Sequence, residues 1–202
     1  MSEATEVLAQ QLAELGLWDG LEPEVQVSER ARVAAGGYPL VTDVLLGKCH
    51  FLVDGETLAE GGIERFLSDE VAPALARYGI EFRVERIRGF DLLDKLLGPV
   101  PWPPYPPMFI NGNLVFFMGH EDDDADTWYL ATVRPLAYVN DLLAEAGVRA
   151  RFLTMNTGGN EGMAYLFDPR IADAMRDSGL FQPDSIPVLV VDDRARTDPS
   201  AN

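Results

Sequence analysis

The chain has 202 residues, 47% of them hydrophobic, so it is long enough to bury a substantial core without disulfide support. Its formal net charge of −17 repels the phosphates of nucleic acids and of anionic lipid surfaces, so we expect neither as a direct partner. No apolar run approaches the roughly 20 residues that cross a bilayer, and the acidic start lacks the pattern of a signal peptide.

Two features of the composition fit a cytoplasmic, bacterial protein. The single cysteine, Cys49, cannot form an intramolecular disulfide, which agrees with a reducing compartment. The basic residues are 14 arginines and two lysines, a bias typical of GC-rich bacterial genomes. We therefore expect a cytoplasmic location.

The N-terminal region, residues 1–24, is acidic and has a helical pattern. It contains six acidic residues and no basic residue. Apolar residues at helical spacing predict an amphipathic helix over residues 3–15, which Gly16 ends. The predicted apolar stripe consists of Val7, Leu8, Leu12 and Leu15. Residues 25–48 carry no clear pattern.

Residues 49–86 predict a strand, a helix and a second strand. The run CHFLVD at 49–54 is typical of a short buried strand, and apolar residues at helical spacing follow Gly55. We expect Pro73 to interrupt that helix or to begin another one. The alternation in IEFRVER at 80–86 indicates a half-exposed strand. Both a crossover α/β arrangement and an antiparallel α+β arrangement fit this order.

Residues 99–107 are rich in proline and precede a hairpin signal. Because proline cannot donate to a strand ladder, we expect an extended polyproline II segment whose Trp102 and Tyr105 cover apolar surface. Its PxxP spacing also suits an SH3-like groove, which is the less favoured alternative. Asn111 and Gly112 separate two apolar runs and predict a type I′ hairpin turn.

The run TWYLATV at 127–133 is rich in β-branched and aromatic residues and predicts another strand. Proline is favoured at the first position of a helix, so we expect Arg134 and Pro135 to open a helix that Gly147 closes.

The last third of the chain repeats this mixture of strands and helices. Two strands are predicted around NTGGNEG at 156–162, then a helix capped by Asp168, then a strand at 186–193. Residues 194–202 are expected to form a flexible tail. The sequence therefore predicts a single α+β domain over residues 1–202, with a mixed β-sheet flanked by several α-helices; an α/β fold is the alternative.

An acidic run lies between the predicted hairpin and the next element. It consists of Glu121, Asp122, Asp123, Asp124 and Asp126. We expect a solvent-facing loop, because burying several carboxylates without counter-ions is costly. Its alternate aspartates have the spacing that begins an EF-hand, but Thr127 replaces the turning glycine and Val133 replaces the bidentate glutamate. A dedicated calcium site is therefore not expected.

No other motif indicates catalysis or a cofactor. Cys49 and His50 are adjacent on a predicted strand, so they point to opposite faces, and a Cys49–His120 pair needs the fold to bring the two together. The loop NTGGNEG joins two predicted strands and lacks the lysine of a P-loop. We expect no cofactor, no metal and no catalytic residue.

Strong acidity without a catalytic signature favours a protein-binding function. The leading hypothesis is an immunity or inhibitor protein that neutralises a basic toxin or enzyme. Its expected contact residues are the acidic run together with Trp102 and Tyr105. The alternative is an enzyme or small-molecule binder with an aromatic pocket formed by Trp102, Tyr105, Trp128 and Tyr129. A third alternative is homo-oligomerisation through the sheet edge beside the prolines.

Overall fold

The structure is a computed structural model, and it describes residues 3–36, 50–86, 107–119, 122 and 126–192. Helices and two antiparallel sheets occur together in these ranges, so the predicted α+β class is confirmed. Among the described residues, the chain forms two compact units. The first contains residues 3–36, 50–52, 147–155 and 163–190, and the second contains the remainder. That the chain is one domain stays a prediction.

The helices and strands are named here in chain order. The α-helices are α1 (Glu3–Glu14), α2 (Pro23–Ala34), α3 (Gly55–Thr57), α4 (Ile63–Phe66), α5 (Ala72–Ala76), α6 (Thr127–Glu145) and α7 (Arg170–Asp177). A kink at Leu58–Gly62, where Gly61 has a φ of 106°, a π-helical turn at Leu67–Val71 and a 3₁₀ turn at Pro183–Ser185 lie between them. The strands are β1 (His50–Val53), β2 (Val84–Arg86), β3 (Met108–Ile110), β4 (Asn113–Val115), β5 (Arg151–Met155), β6 (Gly162–Phe167) and β7 (Val188–Leu189).

The first unit packs α1, α2 and α7 with a four-stranded sheet in the order β1-β6-β5-β7. Strand β5 pairs antiparallel with β6 and with β7, so Leu153 lies opposite Tyr165 on one side and opposite Leu189 on the other. One apolar core joins these elements, with Leu8, Leu12, Leu153, Tyr165, Ile171 and Met175 among its buried residues.

Helix α1 confirms the amphipathic helix predicted for the N-terminal region. Leu8 and Leu12 are buried, whereas Val7 is 51% exposed and so lies off the buried stripe. Helix α2, for which the sequence pattern was unclear, buries only Val33. It packs against α1, and the Thr5 hydroxyl donates a hydrogen bond of 2.7 Å to the Ala34 carbonyl.

The second unit begins with a helical stretch that changes geometry around its proline. The Asp54 carboxylate accepts the Thr57 N–H at 3.0 Å and caps the start of the stretch. The π-helical turn Leu67–Val71 lies immediately before α5, and Pro73 is the second residue of α5. The backbone stays helical at Val71 and Ala72, so Pro73 lies where the hydrogen-bond pattern changes from π to α and neither breaks the helix nor begins a separate one.

The three-stranded sheet of the second unit, in the order β2-β3-β4, contains the predicted hairpin. Asn111 and Gly112 both have positive φ, 50° and 81°, as a type I′ turn requires. The Asn111 side chain also accepts the Arg83 N–H at 2.8 Å and donates to the Glu81 carbonyl at 3.0 Å. These bonds fasten the hairpin turn to the chain just before β2.

Helix α6 corrects the sequence prediction for residues 127–135. The expected strand at 127–133 is wrong, because these residues form the first turns of a 19-residue helix. Pro135 lies inside this helix and does not open it. All seven residues of the range 131–137 are buried, so the helix shows no polar stripe there that would reveal a period of 3.6.

Two predicted strands are longer than the strands observed. Two further predictions concern residues outside the described ranges. Strand β2 covers only the end of the predicted strand at 80–86, and β7 covers two residues of that predicted at 186–193. The proline-rich residues 99–106 and the predicted tail at 194–202 lie outside the described residues. Within the described ranges, no helix combines the length and apolarity needed to cross a membrane.

Candidate interaction surface

A groove of about 290 Å³ lies between α1 and α7 in the first unit. We call it the acidic groove, because three of its seven lining residues carry carboxylates. Its lining residues are Gln11, Glu14 and Leu15 from the α1 side and Arg170, Asp173, Ala174 and Asp177 from α7.

The groove results from how the two amphipathic helices meet. Leu12 of α1 and Met175 of α7 are both fully buried in the shared apolar core. The polar residues beside these positions therefore stay at the surface, where Glu14, Asp173 and Asp177 are all exposed. The carboxylates of the groove are thus held by two helices whose buried faces fix their positions.

The cation that lines the acidic groove is already neutralised. The Arg170 guanidinium donates to the Asp168 carboxylate from Nη2 at 2.6 Å and from Nε at 3.0 Å. Arg149 lies 3.7 Å from the same carboxylate. The hydrogen bond from Arg170 holds the pKa of Asp168 below its ordinary value. Arg170 therefore cancels little of the negative charge in the groove. Asp173 is paired with Arg176 at 2.8 Å, so the groove carboxylates without an ion pair among the described residues are Glu14 and Asp177.

Two carboxylates of the groove lie at helix C-termini without a compensating cation. Glu14 is the last residue of α1 and Asp177 is the last residue of α7. Glu14 accepts a hydrogen bond of 2.5 Å from Gln10 Nε2, and neither carboxylate forms an ion pair within the described part of the chain. A negative charge at a helix C-terminus is repelled by the helix dipole. Helix stability alone therefore does not explain these two residues.

Further exposed carboxylates extend the negative charge of α1 and α2. Residues 3–36 contain seven acidic residues and two arginines. Both arginines are engaged, because Arg32 forms an ion pair of 3.2 Å with Glu29 and Arg30 donates to Gln10. Exposed acids of this region outside the groove include Glu3, Glu6, Glu22 and Glu24. This part of the first unit therefore carries a strong excess of negative charge.

One residue of the predicted acidic run, Asp122, is buried in the structure. The side chain of Asp122 is only 7% exposed, so the expectation that the whole run faces solvent is wrong for this residue. It accepts two hydrogen bonds from the guanidinium of Arg134, which is 3% exposed and lies on α6. The same carboxylate accepts the Gly119 N–H, and Arg134 donates to the Phe117 carbonyl at 2.9 Å. The Asp122 carboxylate is thus neutralised within the fold by Arg134.

The other residues predicted to contact a partner divide into two groups. Asp126 is exposed and precedes α6, where its side chain makes no capping hydrogen bond. The remaining ones lie outside the described residues: Trp102, Tyr105, Glu121, Asp123 and Asp124. Their role in partner binding stays a prediction.

Of the four aromatic residues predicted to form an alternative pocket, the structure describes Trp128 and Tyr129. Trp128 and Tyr129 lie on the first turn of α6 and are 40% and 43% exposed. The first packs beside Gly55 and the second beside Gly158, both of which leave no room for a side chain. These contacts are made by backbone and Cβ atoms of Trp128 and Tyr129 and not by their rings. A pocket that includes Trp102 and Tyr105 stays a prediction.

The loop NTGGNEG connects β5 and β6 as the predicted hairpin. A Cβ on Gly158 would lie 3.1 Å from the Cβ of Tyr129, and one on Gly162 would lie 2.6 Å from the Val53 carbonyl oxygen. The Gly159 carbonyl also accepts the Gly55 N–H at 3.0 Å. Gly158 and Gly162 are therefore explained by close packing and need no bound phosphate.

The sequence did not predict that three carboxylates would lie in one groove: those of Glu14, Asp173 and Asp177. Glu14 was visible as one of the N-terminal acids, but nothing in the sequence paired α1 with α7. Among the described residues, no group of three or more His, Cys, Asp or Glu side chains is arranged to hold a metal ion. No protein-family model, curated protein or solved structure matches this chain.

Proposed function

We propose that this protein binds a basic protein partner and that the acidic groove between α1 and α7 is the contact site. A partner of this kind is a basic toxin or enzyme that the chain would neutralise as an immunity or inhibitor protein. The observation that carries the proposal is the pair of uncompensated carboxylates, Glu14 and Asp177, at adjoining helix ends. Cations on a partner supply the neutralisation that the chain itself lacks there.

The charge of the whole chain supports the same partner class. A net charge of −17 attracts a basic protein over about 10 Å at about 0.1 M salt, and it repels nucleic acids. Electrostatic attraction of this kind raises association rates more than it raises affinity. Binding is therefore expected to weaken steeply as salt is added.

The rigidity of the groove also supports a binding role. Its carboxylates project from helices anchored by Leu8, Leu12, Ile171 and Met175, all nearly fully buried. Side chains on a packed helix lose less conformational entropy on binding than side chains on a loose loop. The groove thus offers preorganised negative charge to a partner.

A charge-matched pair of double variants tests the proposal. We expect the variant E14Q/D177N to bind deca-arginine peptide about tenfold more weakly than the wild type at low salt, because it removes two groove carboxylates. The matched control is E60Q/E70Q, which removes two exposed carboxylates of the second unit and leaves the groove intact. Isothermal titration at about 0.02 M and about 0.5 M salt measures both effects.

Two outcomes would contradict the proposal. If both double variants lost the same affinity for the peptide, binding would depend on net charge and not on the groove. If wild-type protein did not bind deca-arginine even at low salt, the proposed class of partner would be wrong. Circular dichroism of each variant checks that the fold is intact.

A further inference from the structure

Strand β7 forms one edge of the four-stranded sheet and leaves backbone groups unpaired. Leu153 lies opposite Leu189, and the Val190 N–H donates to the Phe152 carbonyl at 3.1 Å. In an antiparallel ladder, hydrogen-bonded and non-hydrogen-bonded residues alternate, so the N–H and C=O of Leu189 point away from β5. Among the described residues, no strand pairs with this open side and the Leu189 N–H has no hydrogen-bond acceptor.

The side chains of β7 are apolar and unusually open to solvent. Val188 is 62% exposed and Leu189 is 42% exposed, although successive residues of a strand point to opposite faces. Both faces of the sheet are therefore accessible at this edge. Neither residue carries a charge, so the protection of this edge depends on its two-residue length and on Pro187.

Pro187 limits the open edge and sets its register. It lies two residues before Leu189, so its missing N–H falls on the same open side. An added strand would therefore receive an amide from Leu189 but none from Pro187. The edge suits a short segment centred on Leu189 and not a long one.

The charges near β7 indicate the chemistry of the segment that would pair with it. Asp184, in the 3₁₀ turn before the strand, is exposed and forms no ion pair within the described ranges. A second copy of this chain would bring another −17 charge and another Asp184 to the same place. Like charges disfavour that pairing, whereas a segment with basic residues beside its apolar centre is attracted.

We propose that β7 accepts an extended segment of the partner as an additional strand, with apolar residues at its centre and arginine or lysine at its ends. Backbone hydrogen bonds to Leu189 supply affinity, and the basic ends supply selectivity for the acidic protein. This inference rests on the proposed function, because it assumes that the partner is basic. It adds a second contact, made by backbone pairing, to the contact at the acidic groove.

The test uses the peptide acetyl-RTVTVTR-amide as the probe. Acetyl-RTPTPTR-amide is its control, because it carries the same charges but has fewer backbone donors for strand pairing. We expect the first peptide to bind the intact chain and to slow hydrogen exchange at the Leu189 amide, measured by nuclear magnetic resonance. We expect the proline peptide to do neither.

Two charge-matched variants locate the contact. V188K places a lysine on the edge strand, and we expect it to weaken binding of the strand peptide about tenfold. V27K adds the same charge at a 70% exposed position of α2, and we expect it to change the affinity by less than about twofold. Both substituted positions are exposed, so both variants should fold.

The possible results separate this inference from the proposed function. If V188K and V27K weakened the strand peptide equally, strand addition would be overturned while binding of a basic partner would stand. The same conclusion would follow if deca-arginine bound the chain and the strand peptide did not. If neither peptide bound, the proposed function would be overturned as well. Light scattering that showed dimers lost in V188K would assign the edge to a second copy and overturn the inference.

Discussion

The two parts of the chain treat their carboxylates in opposite ways. In the second unit, Asp122 is buried against Arg134, and each hydrogen bond between them replaces contact with water. In the first unit, Glu14 and Asp177 are exposed at the C-termini of α1 and α7, where the helix dipole opposes them. The first arrangement pairs a buried charge, and the second leaves two exposed charges without an ion pair in the described part of the chain.

This difference separates carboxylates that stabilise the fold from carboxylates that stability does not require. A buried ion pair is strongly destabilising to break, because the remaining partner stays buried without a counter-ion. An exposed carboxylate at an unfavourable helix end can be removed without loss, and its removal relieves a repulsion. Carboxylates of the second kind are the ones that a partner can use.

The largest effect is expected from breaking the buried pair. We predict that D122N lowers the free energy of unfolding by about 3–5 kcal/mol, because it leaves the Arg134 guanidinium buried without its anion. D177N, which removes one exposed charge, is the contrast and should change stability by less than about 0.5 kcal/mol. Urea unfolding followed by circular dichroism measures both values.

A double substitution checks the physical reason for that loss. D122L/R134M replaces both charged partners by apolar residues of similar size, and such a change in a buried pair is often neutral or stabilising. We therefore expect the double variant to be more stable than D122N. A double variant as unstable as D122N would show that the hydrogen bonds to the Gly119 N–H and the Phe117 carbonyl, which it also removes, matter as much as the unpaired charge.

The burial of Asp122 could not be predicted from the sequence. A run of acids predicts exposure, and only the arginine within the apolar sequence ATVRPLA hints at a buried cation in need of an anion. Asp122 and Arg134 lie twelve positions apart in the sequence, and no local pattern joins them. Side-chain pairs of this kind depend on tertiary packing, so the sequence alone could not assign them.

Local patterns did predict the elements whose signals are local. The hairpin at Asn111 and Gly112 and the helix α1 were both predicted, because a turn dipeptide and an amphipathic stripe act over a few residues. The first turns of α6 were mistaken for a strand, because TWYLATV has strand propensity while tertiary burial selects a helix. The acidic groove was missed because α1 and α7 lie far apart in the sequence.

An intermediate effect is expected from acid at Asp168, whose carboxylate is half-buried and bound by Arg170. Its pKa in the folded chain is lower than the ordinary value of 3.8, so the unfolded chain binds more protons in this range. The stability contributed by Asp168 is therefore complete above the ordinary pKa and is lost as the pH falls through the lower folded pKa.

The variant D168N measures that contribution directly. We expect wild-type protein to lose its stability advantage over D168N as the pH is lowered from about 5 to about 2, and we expect added salt to reduce the advantage at neutral pH. D184N removes an exposed aspartate without an ion pair in the described ranges and serves as the control. A difference between wild type and D168N that did not change with pH would contradict the assignment. Urea unfolding at each pH gives the values.

The smallest effect on stability, with the opposite sign, is expected at Glu14. E14K replaces a repelled anion by a cation at the C-terminus of α1, so we predict a gain of about 0.3–1 kcal/mol in the free energy of unfolding. The same change reverses a charge in the acidic groove, so deca-arginine should bind the variant more weakly than the wild type. A variant that is more stable but binds less well would show that Glu14 is placed for a partner and not for the helix. If E14K lost stability and kept its affinity for the peptide, the distinction between the two kinds of carboxylate would fail at this residue.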